Sequence, residues 1–251
     1  MNAVIQSLMT HRSIRAFKSD KVDEAILEAI LEAGMRAATG GHFQPYSFIA
    51  IDEPEILETL APYKAPAAIL AVVDHFRFQR CLELLGAKFP VDSPMNFLLA
   101  YWDAVIALQN VAVAAESMGL GTVYIGDILC KDLRETLDLP DEVFPAALVL
   151  IGHPAQDPDL RPRLPSEAVI HRNRYHRATE DQLRVFYQRY EEIFERQFSE
   201  LTDEEREELE STGITNGVQK LCRDMAAFFE DVDADVLANL KRAGFDIEKW
   251  A

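Results

Sequence analysis

Arginine side chains gather at two places in a chain that is otherwise strongly acidic. The 251 residues carry a net charge of −17, yet "HRSIR" begins at His11 and "RPRLP" begins at Arg161. The planar guanidinium stays charged and can donate two parallel hydrogen bonds to phosphate oxygens. Arg12 and Arg15 would share a face on a helical turn. Each segment therefore predicts either an anion site or ordinary surface arginines, the first at a helix end and the second in a proline-stiffened loop.

A glycine pair and a glutamine mark a third candidate, "TGGHFQPYSF", at residues 39–48. Gly40 and Gly41 permit close backbone approach or a positive φ. Gln44 stands before a proline at the entry to a predicted strand. Its amide can donate and accept hydrogen bonds together, which suits the edge of a heterocycle. The alternative is a glycine pair that ends a helix and is followed by a turn.

The fourth candidate, "GLGTVYIGD" at residues 119–127, has glycines on both sides of a predicted strand. A dinucleotide-binding G-x-G-x-x-G follows its strand, whereas the first two glycines here precede it, so the Rossmann fingerprint is excluded. Gly119 is interpreted as the C-cap of a long helix. Gly126, at the far end of the strand, leaves backbone groups free to meet a ligand.

Other catalytic and metal-binding patterns are missing from the sequence. It contains no Walker A, G-x-S-x-G or H-E-x-x-H motif. His171 and His176 are five positions apart without a nearby third ligand type, and the three cysteines form no CxxC pair. We therefore predict no metal site and no disulfide framework, with Cys130 either packed or, as the alternative, reactive.

The composition indicates a globular protein whose main partner is neither nucleic acid nor a membrane surface. Its acidic net charge repels nucleic acid and anionic membrane surfaces, so neither is a predicted partner. The opening residues "MNAVIQSLMT" lack the basic and apolar regions of a signal peptide. A reducing cytoplasm is therefore the expected location.

Apolar periodicity predicts a mixture of helices and strands. Short runs rich in β-branched or aromatic residues predict strands at 46–52, 67–74, 121–127 and 144–154. Helical spacing predicts helices at 4–12, 23–39, 53–60 and 130–139. Residues 93–119 are apolar over more than one face and predict a buried central helix. The alternative of a membrane span is disfavoured by its polar residues Asp103, Gln109, Asn110 and Glu116.

The character of the chain changes after residue 178, where it becomes acidic and helical in pattern without a strand-like run. We predict two parts: a core of residues 1–178, and a helical extension of residues 179–251 that is an arm, a lid or an interaction module. Its negative charge is expected on a solvated face.

Taken together and in this order, the four segments resemble the FMN-dependent nitroreductase family. The similarity is greatest to the branch of oxygen-insensitive nitroreductase A and the NADPH-flavin oxidoreductases of the flavin reductase P type. It covers residues 5–177 through "HRSIRAF", "FQPYSFIAI", "VAVAAESMGLGTVYIGDI" and "LIGHPAQDPDLRPRLPSEAVIHRNRY". The resemblance implies an α+β fold, with a mixed, mainly antiparallel sheet flanked by helices. It also implies a long central helix at an intertwined homodimer interface, with FMN bound between the subunits.

The resemblance also implies which residues bind the cofactor. It places the FMN phosphate and ribityl chain at the "HRSIR" segment and at Arg161 and Arg163, which also approach the pyrimidine edge of the flavin. It places a polar edge of the ribityl or ring at Gln44, and the O4 and N5 side of the ring at Ile125 and Gly126. The full set of implied cofactor-binding residues is His11, Arg12, Ser13, Arg15, His42, Gln44, Tyr124, Ile125, Gly126, Arg161 and Arg163.

The implied activity is a ping-pong reaction with NADPH or NADH as the electron donor. Hydride passes to N5 of FMN, and a nitroaromatic, a quinone or free flavin then accepts the electrons. Because the cofactor carries the chemistry, no catalytic side chain is required, and Arg161 is the candidate for stabilising the anionic reduced flavin. Two alternatives stay open: an FMN-binding protein with little turnover, and a relative with different flavin chemistry, such as ene reduction or dehalogenation.

Overall fold

The computed structural model describes residues 2–89 and 92–250, with residue 189 described by its backbone alone. Four antiparallel strands form one sheet in the order β1-β2-β4-β3. They are β1 (Tyr46–Ile51), β2 (Ala67–Asp74), β3 (Gly121–Ile125) and β4 (Val143–Gly152). Strands β1 and β3 are therefore the two edges of the sheet. The predicted α+β class, with a mainly antiparallel sheet and flanking helices, is confirmed.

Helices flank the sheet and continue beyond it. Those of the first 160 residues are α1 (Ala3–Met9), α2 (Glu24–Met35), α3 (Pro54–Leu60), α4 (His75–Leu84), α5 (Pro94–Ser117) and α6 (Arg134–Leu137). Those that follow are α7 (Ser166–Val169), α8 (Glu180–Ser199), α9 (Asp203–Ser211) and α10 (Gly217–Arg242). Helix α4 is not predicted from the sequence, because the apolar and polar residues of "HFRFQRCL" alternate in a way that also fits a strand.

Small side chains let α5 lie close to the sheet. Ala100, Ala104 and Ala107 are fully buried in the core cluster that α5 shares with β2 and β4. Gly34 of α2 meets the same helix, since a Cβ at that position would stand 2.4 Å from Val111 Cγ2. In the described part of the chain, α5 is the one helix whose length and hydropathy would suffice to cross a bilayer. Here it forms the central helix of the core.

The opposite face of the sheet packs on a second apolar cluster, which includes Leu60 of α3 and Ile128, three residues after β3. Strands β2 and β4 contribute Leu70, Leu148 and Leu150 to it. Both inner strands are thus covered on both faces, which explains why they read as nearly continuous apolar runs.

The chain divides into two compact units, one of residues 1–160 with 233–251 and the other of residues 161–232. Ala243 and Phe245, close to the C-terminus, are buried in the core of the first unit. The second unit contains α8, α9 and a small apolar cluster of Phe198, Leu209 and Ile214. The sequence-based division at residue 178, and the role of the extension as an arm or lid, stay predictions.

Candidate functional site

The "HRSIR" segment is extended, and the prediction that Arg12 and Arg15 lie on a helical turn is wrong. Helix α1 ends at Met9, and Ser13 forms a parallel bridge with Thr122 of β3. The Ile14 N–H donates to the Thr122 carbonyl at 2.8 Å. Tertiary pairing overrides the helical pattern here, because Ile14 is buried in a space that Gly121 leaves open. A Cβ on Gly121 would stand 2.7 Å from Ile14 Cγ1.

A carboxylate at the end of α5 holds His11 and β3 together. Glu116 Oε1 accepts a hydrogen bond from the Thr122 hydroxyl at 2.6 Å and lies 2.7 Å from His11 Nδ1. Because a carboxylate only accepts, Nδ1 is the protonated ring nitrogen in this contact. His11 Nε2 is therefore the nitrogen that remains for a ligand.

The two arginines of the segment differ in how much of their guanidinium the protein itself uses. Arg12 forms an ion pair with Asp157 at 2.9 Å and donates to the Pro158 carbonyl at 3.1 Å. Arg15 is exposed, and its guanidinium lies 5.9 Å from the centre of the Tyr63 ring. Within residues 2–89 and 92–250, Arg15 has no carboxylate partner. Its full set of donors is thus available to an anion.

A cavity of about 600 Å³ opens beside that ring. Its lining includes Tyr63, Phe17 and Lys18. Lys18 is exposed, and its backbone N–H donates to the His153 carbonyl at 2.8 Å.

Strand β3 presents an open edge from Thr122 onwards. The Thr122 carbonyl points outwards to Ile14, and backbone groups along a strand repeat their direction every second residue, so those of Tyr124 point the same way. Gly126 lies one residue beyond the strand and has helical backbone angles (φ −87°, ψ −29°), so this alternation does not set the direction of its carbonyl. Ile125 lies opposite Leu148 in the β3–β4 register, and its side chain is buried. Gly126 is exposed with open space where a Cβ would stand. The geometry therefore favours Gly126 over Ile125 for a backbone contact with a ligand.

The side chain of Tyr124 is fixed by a second polar residue of α5. Its hydroxyl donates to Gln109 Oε1 at 3.2 Å. Burial, together with the nearby Glu116 carboxylate, raises the pKa of the Tyr124 phenol above its usual range.

The glycine pair lies in a tight turn at the other edge of the sheet. We call residues 39–44 the β1-edge turn. Gly41, His42 and Gln44 all have positive φ angles, of 58°, 63° and 44°. A positive φ is uncommon outside glycine, so something must hold His42 and Gln44 in place. The Thr39 hydroxyl oxygen accepts from the Gln44 N–H at 3.0 Å. Asp103 Oδ2 of α5 in turn accepts from the Thr39 hydroxyl at 2.7 Å and from the Gly40 N–H at 3.1 Å.

Gln44 is largely engaged by the protein, and His42 is not. The Gln44 side-chain amide donates to the Met35 carbonyl at 3.2 Å and to the Tyr46 hydroxyl at 3.4 Å. Its backbone carbonyl accepts a hydrogen bond from Arg77. This leaves Gln44 Oε1 as the atom open to a ligand, an acceptor rather than the donor–acceptor pair that the sequence predicts. The His42 side chain is exposed.

Three polar residues of the apolar helix α5 hold candidate residues in place at the β1-edge turn and near β3. Asp103 holds the β1-edge turn, while Gln109 and Glu116 hold Tyr124 and His11. None of the three is predicted as a site residue. The sequence signal of Asp103 and Glu116 is that a carboxylate in a largely buried apolar helix needs a partner, whereas Gln109 is exposed and carries no such signal.

The candidate residues of one chain lie in two separate groups. We call His11, Arg12, Ser13 and Arg15, with β3, the β3-edge cluster. It and the β1-edge turn occupy opposite edges of the sheet, three strand spacings or about 14 Å apart. Their anchors Asp103 and Glu116 are 13 residues apart on α5, about 20 Å along its axis.

Arg161 and Arg163 open the second compact unit and are exposed. Arg163 donates weakly to the Arg161 and Pro162 carbonyls, at 3.4 and 3.3 Å. His171 and His176 line a cavity of about 490 Å³ in the same unit, with Tyr175 between them in sequence. Where the structure is described, it holds no group of three or more His, Cys, Asp or Glu side chains that could bind a metal ion.

Comparison with known proteins places the chain among flavin enzymes. A sequence model of the nitroreductase family matches residues 8–153. FMN reductase (NADPH) from Bacillus subtilis is 33% identical over 228 residues, covering 86% of this chain and 91% of the relative. Nitroreductase A from Vibrio parahaemolyticus superposes with a TM-score of 0.78 at 27% identity, covering 98% of this chain and 99% of the other.

A second solved structure superposes equally well on this chain. The NADPH:FMN oxidoreductase from Vibrio harveyi, in complex with NAD⁺, has a TM-score of 0.78 at 25% identity over 98% of this chain and 99% of its own.

Proposed function

This chain belongs to the nitroreductase family, and we propose that it is an FMN-dependent oxidoreductase that uses NADPH or NADH to reduce nitroaromatics, quinones or free flavin. The observation that carries the proposal is the open edge of β3, which has an uncommitted arginine at one end and an exposed glycine at the other. Thr122 and Gly126 are four residues apart, about 13 Å along a strand. This edge fits an elongated ligand with an anionic end and a flat polar end.

The phosphate end of FMN would lie against the β3-edge cluster. Arg15 offers its whole guanidinium, and Arg12 offers the donors that Asp157 and Pro158 do not use. His11 offers Nε2, because Glu116 holds Nδ1. Arg161 and Arg163 are proposed to join them, since exposed guanidinium groups suit a dianionic phosphate and an anionic reduced ring.

The ring end of FMN would meet the end of β3. The backbone of Gly126 and the outward groups of Tyr124 are the proposed contacts on the O4 and N5 side. When bound, FMN supplies the two-electron carrier that accepts hydride from the nicotinamide and returns electrons to the acceptor. The protein orients the ring, with the Tyr124 side chain held by Gln109.

The second half of each site is proposed to come from a second copy of the chain. Because the β1-edge turn and the β3-edge cluster lie on opposite edges of one sheet, His42 and Gln44 would contact the FMN held by the partner. Large apolar side chains of α5, at Met95, Leu98 and Trp102, are exposed in the isolated chain. An exposed apolar patch on the central helix supports a homodimer.

Two features support a small-molecule enzyme of the cytoplasm. Cys81, Cys130 and Cys222 are free thiols, as expected in a reducing compartment. The net charge of −17 disfavours nucleic acid as a partner. We propose this location and partner class on those grounds.

The test is the visible spectrum of the purified protein, followed by anaerobic addition of NADPH or NADH. We expect a yellow protein that bleaches with reduced nicotinamide and recovers its colour with a quinone. A colourless protein that takes up no added FMN would contradict the proposal. A yellow protein that does not bleach would instead support an FMN-binding protein without turnover.

A further inference from the structure

A buried asparagine near the C-terminus is hydrogen-bonded to the segment that follows β3, which contains a short 3-10 helix (Asp127–Cys130) and is called the β3 loop. Asn239, in the part of α10 that belongs to the first unit, is 4% exposed. Its Nδ2 donates to the Leu129 carbonyl at 3.1 Å and to the Lys131 carbonyl at 3.2 Å. Its Oδ1 accepts from Arg134 Nη1 at 3.2 Å. Both donors and one acceptor site of the amide are thus in use, more than 100 residues away in sequence.

An ion pair gives the same loop a second attachment to α10. Asp132 pairs with Arg134 at 3.1 Å and also with Arg242, at the end of α10. Burial alone would raise the pKa of Asp132, but hydrogen bonds from the two arginines lower it below the usual range. The half-exposed Asp132 carboxylate thus adds a charged contact between the loop and Arg242 of α10.

The loop is tied on its other side to α3. The Lys131 ammonium donates to the carbonyls of Thr59 and Leu60, at 3.1 and 2.8 Å. Ile128, within the loop, is completely buried in the second apolar cluster. Attachments on two sides leave the backbone from Gly126 to Lys131 little freedom to move.

We propose that Asn239 is a positioning residue for the flavin-facing end of β3. By fixing two carbonyl groups of residues 129–131, it sets the course of the chain from Gly126 onwards and so the direction of the Gly126 backbone. The structural part of this inference concerns the loop alone. Its consequence for catalysis rests on the proposed function, which places the flavin ring at Gly126.

The first test measures the loop without any flavin. Asn239→Ala removes all three hydrogen bonds, and Asn239→Asp keeps the shape but replaces the NH₂ donor with a second acceptor. The matched control is Ala238→Gly, which weakens the same helix at an exposed neighbouring position without touching the loop. We expect amide hydrogen exchange of residues 126–134 to be about tenfold faster in both Asn239 variants than in the control.

The second test uses the flavin-loaded enzyme. We expect the rate of bleaching by NADPH to fall about tenfold in Asn239→Asp, because a small displacement of the ring is costly for hydride transfer. FMN affinity should change less than about threefold, because the phosphate end is untouched.

The outcomes separate the two claims. Faster amide exchange in a protein that binds no FMN would support the attachment of the loop by Asn239 and overturn the proposed function. Amide exchange equal to that of Ala238→Gly would show that Asn239 does not hold the loop, whatever the rate of bleaching. Faster exchange with unchanged bleaching would overturn the positioning role of Asn239.

Discussion

Side chains of the β3-edge cluster extend from an extended segment that is bridged to β3 at Ser13, whereas those of the β1-edge turn extend from residues with positive φ. The first group takes its geometry from pairing with β3 and from Glu116. The second takes its geometry from Asp103, without which the turn would lose both of its polar attachments to α5. The first group thus keeps the Arg15 guanidinium and His11 Nε2 for a ligand, while Gln44 of the second uses most of its polar groups to hold the turn.

This difference predicts that mutations in the two regions will act on different quantities. Changes at the β3-edge cluster should alter ligand affinity with little effect on folding. Changes at the β1-edge turn or its anchor should alter stability first, and flavin binding as a result.

The largest expected effect is on FMN affinity in the double variant Arg12→Ala/Arg15→Ala. Each arginine is expected to make charge-assisted hydrogen bonds with phosphate, together worth about 4 kcal/mol or roughly a thousandfold in Kd. Flavin release during dialysis, followed by fluorescence titration, measures it. Lys18→Ala is the control and should retain FMN. Unchanged retention in the double variant would show that the phosphate lies elsewhere.

Removing the anchor of the β1-edge turn should cost the most stability. Asp103→Ala leaves the Thr39 hydroxyl and the Gly40 N–H without their acceptor, a loss of about 3 kcal/mol in the free energy of unfolding. Asp103→Asn keeps an acceptor oxygen and should lose only about 1 kcal/mol. Urea denaturation of the apo proteins distinguishes the two. Equal midpoints for Asp103→Ala and the wild type would contradict the anchoring role.

A buried histidine beside the turn should make this region sensitive to acid. His75 is 1% exposed, and neither ring nitrogen has a partner among the described residues. Burial lowers the pKa of His75 to about 4, against a smaller opposing effect of Asp74. The folded state thus binds fewer protons than the unfolded state between about pH 4 and the ordinary value near 6.5, so stability falls as the pH drops through that window.

The expected loss from pH 7 to pH 5 is about 2 kcal/mol in the wild type beyond that of His75→Phe. The aromatic replacement keeps the contact with Phe245, whose ring centre lies 5.0 Å away. Urea denaturation at both pH values gives the difference. Parallel pH profiles for the two proteins would contradict the buried neutral histidine.

The smallest expected effect comes from Glu116→Gln. The amide oxygen can still accept from Thr122 and His11, so only the contribution of the charge is lost, about 1 kcal/mol in stability. Glu32→Gln, at an exposed position of α2, is the control. A loss no greater than that of the control would show that the charge of Glu116 does not hold His11.

Periodicity and family resemblance predict the sheet and the central helix well, and the fold and family are confirmed. The helical turn at Arg12 is wrong because local spacing cannot reveal that Ile14 packs on Gly121. The anchoring roles of Asp103 and Glu116 are missed because Thr39 and His11, which they hold, lie 64 and 105 residues away in sequence. The sequence pattern after residue 178 likewise gives no sign that Phe245 is buried in the core of the first unit.

Because Phe245 is buried in the core of the first unit, truncation at residue 178 would remove more than the extension. A chain cut at residue 178 would lose Phe245, and with it Asn239. A deletion of residues 179–232 with a flexible connection is therefore the better test of an arm or lid.

A heterodimer made from two defective subunits tests whether each flavin site is shared between the two copies of the chain. One subunit carries Arg12→Ala/Arg15→Ala and the other carries Asp103→Ala, and each has a different affinity tag. If Asp103→Ala does not fold, Gln44→Ala replaces it. If each site combines the β3-edge cluster of one subunit with the β1-edge turn of the other, one site of the heterodimer is intact and the other has both defects. We expect about one FMN per heterodimer, because twofold symmetry gives two sites and only one of them is intact. Flavin content no higher than in either parent homodimer would contradict it.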